Sequence, residues 1–116
     1  MRRLSVLLLF LFVTLACNKE PTDVEVEPPP PETATVIAAT SNLFLPQDQP
    51  IAVGGVVTWE FHANHTITFT PKAGAPDNIP AQSSGAETRT FLTAGDYDYH
   101  CDIHATMIGT INVIVP

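Results

Sequence analysis

The sequence predicts an all-β protein, a β-sandwich formed by residues 34–116. Three observations support this prediction: short segments in which apolar and polar residues alternate, turn residues at regular intervals between them, and no segment with a helical period. Alternation with a period of two places every second side chain on one face of a strand, and that face can be buried against a second sheet. We therefore expect several short strands around one core.

The expected strands are rich in β-branched and aromatic residues. The segment 56–61 follows the turn signal Gly54-Gly55 and alternates clearly. Residues 71–85 contain three prolines and two glycines, so we expect a loop there. The segments expected to be strands are 34–40, 56–61, 66–70, 88–92, 97–101 and 108–115.

Residues 1–17 are typical of a secretion signal. A positively charged start precedes the apolar run 4–13, which is shorter than the about 20 residues of a membrane-spanning helix. The segment ends at Cys17 and resembles a bacterial lipobox, in which the cysteine becomes the lipidated first residue of the mature protein; Thr14 stands where Leu is more usual. We expect a lipoprotein on the periplasmic side of the bacterial cell envelope. An ordinary signal peptide with an incidental cysteine is the alternative.

Residues 18–33 are expected to form an extended tether. They are acidic, include a run of four prolines at 28–31 and contain almost no large apolar side chains, so they cannot bury a core. With a lipid on Cys17, this tether would hold the domain off the membrane, and the lipid would be the only membrane contact.

The folded part is acidic. Residues 34–116 carry seven acidic and two basic side chains, a net charge of −5. Such a surface argues against nucleic acid as a partner. A basic redox protein steered by charge fits better, and we expect the chain to be a monomer.

The segment 97–107 carries the chemistry. Cys101, His104 and Met107 form a Cys-x2-His-x2-Met motif, which brings a thiolate, an imidazole and a thioether within seven residues. If Cys17 is lipidated or removed, Cys101 is the only remaining thiol and cannot form an internal disulfide. A bound metal would protect such a thiol in an oxidising compartment.

A second imidazole must come from another part of the chain, either His62 or His65. His65 is favoured because it directly precedes the expected strand 66–70. Two imidazoles, a thiolate and a weak axial thioether are the ligand set of blue-copper sites, whereas structural zinc sites favour four Cys or His ligands. We therefore predict one copper ion, Cu(I)/Cu(II), bound by His65, Cys101, His104 and Met107. In the alternative without metal, these side chains only pack or cap a turn.

The segment 97–101, followed by His104 and Met107, resembles the ligand loop of plastocyanin- and amicyanin-like members of the cupredoxin family. The resemblance extends back through residues 55–59 and His65. It implies an eight-stranded Greek-key sandwich with copper at one end. It also implies that Met107 is a weak axial ligand and that the edge of His104 is the surface route for electrons.

Two positions depart from the family pattern. Thr66 stands where Asn is common after the first ligand histidine, and Ile103 stands where Pro is common before the second. These departures affect the redox potential and the rigidity of the loop, and leave the choice of metal unchanged.

The predicted function is transfer of single electrons between redox proteins of the cell envelope. Copper storage or delivery is the alternative, because it would use the same ligands. An enzyme is not expected: copper oxidases and nitrite reductases need further His-rich centres, and this chain has four histidines and no His-x-His pair. Cys101 and His104 could form a nucleophilic pair, but no residue pattern marks an orienting third group or oxyanion donors.

Overall fold

Nine β-strands form the secondary structure of residues 26–116, the part of the chain that the computed structural model describes. Among these residues there is no helix long and apolar enough to cross a membrane. The predicted signal segment 1–17 with Cys17, and residues 18–25 of the predicted tether, lie outside the described residues. The strands are β1 (Thr33–Ala38), β2 (Phe44–Leu45), β3 (Asp48–Ala52), β4 (Val56–Phe61), β5 (His65–Phe69), β6 (Ile79–Gln82), β7 (Ala86–Thr90), β8 (Gly95–His100) and β9 (Ile108–Ile114).

The strands form two sheets, one of four strands in the order β2-β1-β4-β7 and one of five in the order β3-β9-β8-β5-β6. Strands β1 and β4 pair in parallel, as do β3 and β9, and the other pairs are antiparallel. Consecutive strands such as β4 and β5 lie in different sheets, as in Greek-key sandwiches. The prediction of an all-β sandwich is confirmed, with nine strands instead of eight because the two-residue β2 is counted.

The core between the two sheets is built around Trp59 of β4. Its ring centroid lies 6.0 Å from that of Phe69 in β5 and 5.6 Å from that of Tyr99 in β8, and both pairs are nearly perpendicular. Edge-to-face contacts of this kind stabilise aromatic clusters beyond the burial of their area. Because Trp59 belongs to the smaller sheet and its two partners to the larger one, these contacts hold the sheets together.

One close approach within the larger sheet depends on glycine. Gly109 of β9 lies directly opposite Tyr99 of β8, and a Cβ atom at this position would collide with the Tyr99 ring and hydroxyl. The missing side chain leaves space in which the Tyr99 ring is buried.

The prediction of a continuous loop at residues 71–85 is wrong, because β6 lies within it, and β3 was also missed. Both are the edge strands of the five-stranded sheet. Each contains a proline, Pro80 in β6 and Pro50 in β3, and proline is tolerated in edge strands because its missing N–H can face away from the ladder. Pro80, one of the three prolines that indicated a loop, is therefore a feature of a sheet edge.

The sandwich has two distinct ends. The Ala39 carbonyl just beyond β1 and the Cys101 thiol just beyond β8 lie 2.9 and 3.9 Å from ring nitrogens of His65, the first residue of β5. We call this side the ligand end. At the opposite end, the Pro31 carbonyl accepts a hydrogen bond of 2.8 Å from the Ala52 N–H, so the chain enters the domain there.

Candidate metal centre

His65 is fixed by its backbone position and by its ring. It begins β5, and its side chain is fully buried. Nε2 lies 2.9 Å from the carbonyl oxygen of Ala39. Because a carbonyl can only accept, Nε2 carries the proton and donates it, which leaves the lone pair on Nδ1. Burial also lowers the pKa of His65, against the opposing effect of the Ala39 hydrogen bond, and the neutral form is the one that binds a metal.

Three donor atoms form a compact triangle at the ligand end. His65 Nδ1 and His104 Nδ1 are 3.2 Å apart, and Cys101 Sγ lies 3.9 Å from the first and 3.6 Å from the second. A trigonal site with metal–nitrogen bonds of about 2.0 Å and a metal–sulfur bond of about 2.3 Å would have N···N and N···S separations of about 3.5 and 3.7 Å. The triangle has these dimensions, so one ion at its centre can bind all three atoms.

Cys101 combines burial with a hydrogen-bond donor to its sulfur. Its side chain is 2% exposed, and the backbone N–H of Thr66 donates to Sγ over 3.5 Å. Hydrogen bonding around a cysteine sulfur tunes the redox potential of a bound copper. The thiol is therefore placed as a metal ligand rather than as an ordinary core side chain.

Met107 lies beside these three residues. Its N–H donates to the His104 carbonyl and its carbonyl accepts from the Cys101 N–H, each over 3.0 Å. These two bonds close the loop between β8 and β9, and the Met107 side chain is fully buried. The loop therefore ties Met107, with its buried thioether side chain, to the backbone of both Cys101 and His104, and a thioether is the weak axial ligand of blue-copper sites.

The side chain of Thr66 connects β5 to the cysteine loop. Its Oγ1 accepts a hydrogen bond of 2.8 Å from the N–H of Asp102. Thr66, which departs from the family pattern at this position, thus connects β5 to the cysteine loop through its hydroxyl. Asn64, on the other side of His65, is exposed.

The other two histidines lie on the surface. His62 is exposed, with Nε2 3.9 Å from Glu60 Oε2, and His100 is exposed, with Nε2 3.0 Å from Asp102 Oδ1. The structure therefore brings His65, Cys101 and His104 together and leaves His62 and His100 outside the group.

Sequence reasoning missed several groups that support the ligands. The Ala39 carbonyl and the Thr66 N–H are backbone groups, which carry no residue signature. The carboxylate of Asp102 accepts a hydrogen bond of 2.7 Å from Thr68 Oγ1, and this bond is the main cause of the lowered pKa of Asp102. The one sequence signal that could have indicated a role for Asp102 was its position directly after Cys101.

The donor set fits copper. Two imidazoles, one thiolate and a thioether suit both Cu(I) and Cu(II), whereas harder ions prefer oxygen ligands, and two of the three grouped side chains are buried. These features support a single copper ion in this centre.

Comparison with known proteins agrees with the geometry. No protein-family model and no curated protein matches the sequence. Among solved structures, a reduced Cu(I) form at pH 4 of an amicyanin mutant is 30% identical with a TM-score of 0.62, over 71% of this chain and 82% of that chain. The Cu(I) form of another amicyanin mutant is also 30% identical with a TM-score of 0.62, over 72% and 83%.

A copper-containing nitrite reductase from Thermus scotoductus SA-01 is 27% identical with a TM-score of 0.63. The similarity covers 78% of this chain and 24% of the reductase chain, so it extends to only part of that protein. The amicyanin structures, in contrast, correspond over most of their length. Fold, donor set and sequence identity agree, and the chain belongs to the cupredoxin family.

Proposed function

We propose that the protein carries single electrons, with one copper ion bound by His65, Cys101, His104 and Met107. The observation that carries this proposal is the triangle of two Nδ1 atoms and one Sγ atom, with sides of 3.2, 3.6 and 3.9 Å. Copper, when bound, would supply one-electron chemistry between Cu(I) and Cu(II). Such a trigonal set lies between the preferences of the two oxidation states, so few atoms need to move on electron transfer.

The chain keeps the donor atoms in place. The ring of His65 is held by the Ala39 carbonyl and Cys101 by the Thr66 N–H, and both side chains are buried. Preorganised ligands of this kind bind metal without rearranging the backbone. Donor atoms held in place in this way favour a carrier over a delivery protein, which must release its metal.

His104 is the ligand through which we propose that electrons enter and leave. It is half-buried, whereas the side chains of the other proposed ligands are buried. Two exposed apolar residues lie near His104 in the sequence: Ile103 directly precedes it, and Ile108 follows Met107. Exposed apolar side chains close in sequence to a half-exposed imidazole suit brief contact with another protein.

We propose that the partner is a basic redox protein. Of the cations in residues 26–116, Lys72 donates to the Asp96 carbonyl over 2.7 Å and Arg89 donates to the Asp77 carbonyl over 2.8 Å. Lys72 follows β5 and Arg89 pairs with Val57 at the start of β4, so both lie away from the ligand end. The net charge of residues 34–116 is −5 and both cations lie away from the ligand end, and opposite charge accelerates encounter with a basic partner.

For the rest of the chain we propose lipidation at Cys17 and a position on the periplasmic side of the cell envelope. The support is the signal-like segment 1–17 and the acidic, proline-rich segment that follows it. Incorporation of radiolabelled palmitate in a bacterial host, compared between the wild type and Cys17→Ser, tests this part separately.

A carrier is also favoured over an enzyme. Within residues 26–116 the only group of three or more His, Cys, Asp or Glu side chains that could hold a metal is the triangle itself. The nitrite reductase that resembles this chain is matched over only 24% of its length. One metal centre with one half-exposed ligand suits the exchange of electrons between proteins.

The test is titration of the purified domain with Cu(II), followed by visible spectroscopy and redox cycling. We expect an intense thiolate-to-copper band that saturates at one equivalent, disappears in Cys101→Ser and bleaches reversibly on reduction. His65→Asn should lose the band, and the matched variant His62→Asn should keep it. A colourless protein that retains zinc would overturn the proposal, and release of the metal on reduction would identify a delivery protein.

A further inference from the structure

Asp102 directly follows Cys101 and connects the ligand loop to two strands. Its Oδ2 accepts a hydrogen bond of 2.7 Å from Thr68 Oγ1, and its Oδ1 lies 3.0 Å from His100 Nε2. Its backbone N–H donates to Thr66 Oγ1 over 2.8 Å. One residue is thus joined to β5 at two points and to β8 at a third.

The backbone pairing of β5 with β8 ends at His100, one residue before Cys101, and the contacts of Asp102 lie just beyond this point. The register between β5 and β8 includes Thr68 opposite His100 and Phe69 opposite Tyr99. Beyond His100 the chain leaves β8, and no backbone ladder restrains it against β5. Beyond this point, hydrogen bonds between Asp102 and the side chains of Thr66 and Thr68 connect the chain to β5.

Thr66 links this restraint to the metal centre. Its N–H donates to Cys101 Sγ over 3.5 Å, while its Oγ1 accepts from Asp102. A displacement of Asp102 away from β5 would therefore also lengthen the N–H···S contact. A single exposed ion pair contributes little to stability, so the argument rests on three contacts that converge on the residue next to the thiolate.

We propose that Asp102 is a positioning residue for the copper centre. It holds the cysteine loop against β5 and thereby keeps Cys101 Sγ next to the Thr66 N–H. This inference rests on the proposed function, because a residue can position a copper ligand only if the protein binds copper. The restraint itself exists in the metal-free protein and can be measured there.

Asp98 provides a matched control. It is exposed, lies on β8, and its Oδ1 accepts a hydrogen bond of 2.7 Å from Thr110 Oγ1 of β9. Asp98→Ala therefore removes the same charge and the same kind of cross-strand Asp–Thr bond without touching the cysteine loop. Thr68→Val removes the hydroxyl donor and leaves the charge of Asp102 in place.

The first measurement is amide hydrogen exchange by NMR in the metal-free protein. We expect the N–H groups of Thr66 and Cys101 to exchange about tenfold faster in Asp102→Ala, because a charge-assisted hydrogen bond that restrains the loop is lost. Thr68→Val should also accelerate the exchange of these two N–H groups, and Asp98→Ala should leave their exchange rates within about twofold of the wild type.

The second measurement uses the copper-loaded protein. The thiolate-to-copper band and the reduction potential should shift in Asp102→Ala and Thr68→Val more than in Asp98→Ala. Equal behaviour of Asp102→Ala and Asp98→Ala in both measurements would overturn the positioning role. A wild type that binds no copper, combined with the expected exchange pattern, would overturn the proposed function and leave the loop restraint standing.

Discussion

The Nε2 atom of His65 lies 2.9 Å from the carbonyl oxygen of Ala39, and this contact decides which ring nitrogen faces Cys101 and His104. The two residues come from different sheets, since Ala39 follows β1 and His65 begins β5. The metal centre is therefore held across the sandwich, and the packing of the two sheets fixes the geometry of the ligands.

The pH dependence of stability should report the burial of His65. Burial lowers the pKa of this imidazole below its ordinary value of 6.5. Below pH 6.5 the unfolded chain takes up a proton that the folded metal-free protein does not, so stability falls as the pH decreases. Urea unfolding between pH 8 and pH 5 should show this loss, with a slope of at most about 1.4 kcal/mol per pH unit from this group.

The variant His65→Gln isolates this contribution, because it removes the buried imidazole and leaves the other three histidines of the chain in place. The pH dependence of His65→Gln should be shallower than that of the wild type, and also shallower than that of the control His62→Gln, which keeps the buried imidazole. Equal slopes for the wild type and His65→Gln would show that the buried imidazole does not resist protonation.

The hydroxyl of Thr66 should contribute to stability through the Asp102 N–H. Thr66→Val removes the acceptor of a 2.8 Å hydrogen bond and should destabilise the metal-free protein by about 1 to 2 kcal/mol. Thr66→Asn supplies another acceptor at the position where the family often has an amide, and should restore part of this loss. Equilibrium denaturation of the three proteins provides the comparison. A fully stable Thr66→Val variant would contradict the role of this hydroxyl.

The absence of a side chain at Gly109 should be essential for the packing of Tyr99. A methyl group in Gly109→Ala would collide with the Tyr99 ring, and overpacking of this kind costs about 1 to 3 kcal/mol. Ile108→Ala, at the exposed neighbouring position, should change stability by less than Gly109→Ala does. Thermal unfolding followed by circular dichroism measures both variants. Equal stability of both variants would mean that the sheet adjusts to the extra atom.

The acidic surface should steer small redox reagents. Reduction of the copper-loaded protein by hexaammineruthenium(II), a cation, should slow as ionic strength increases, because salt screens the attraction over about 10 Å at 0.1 M. Reduction by anionic ferrocyanide should accelerate under the same conditions. Stopped-flow absorbance at the thiolate-to-copper band measures both rates. Matching salt dependences for the two reagents would argue against an acidic surface around His104.

Much of the fold and of the metal centre follows from local sequence pattern. Alternation in β4 and β8 identified the buried faces of both strands, including Tyr97 and Tyr99, because a period of two survives in strands with one face in the core. The Cys-x2-His-x2-Met spacing indicated a loop that presents three ligands, and backbone hydrogen bonds within residues 101–107 close it.

Other features depend on contacts between distant residues and could not be predicted. The edge strands β3 and β6 contain prolines, which locally indicate loops, and they form because a neighbouring strand supplies hydrogen bonds. The support of His65 by Ala39 joins residues 26 positions apart through a backbone oxygen. Such partners have no signature in a single sequence, since any residue provides the same carbonyl.

The chain enters the sandwich at Pro31, at the end opposite the ligands. The six residues of β1 between that entry and the ligand end span about 20 Å. An anchor on the N-terminal side of Pro31 would therefore attach the domain by its base, and His104 would lie at the distal tip. Docking at the tip would not compete for space with the attachment, so one anchored molecule could meet donor and acceptor in turn without detaching.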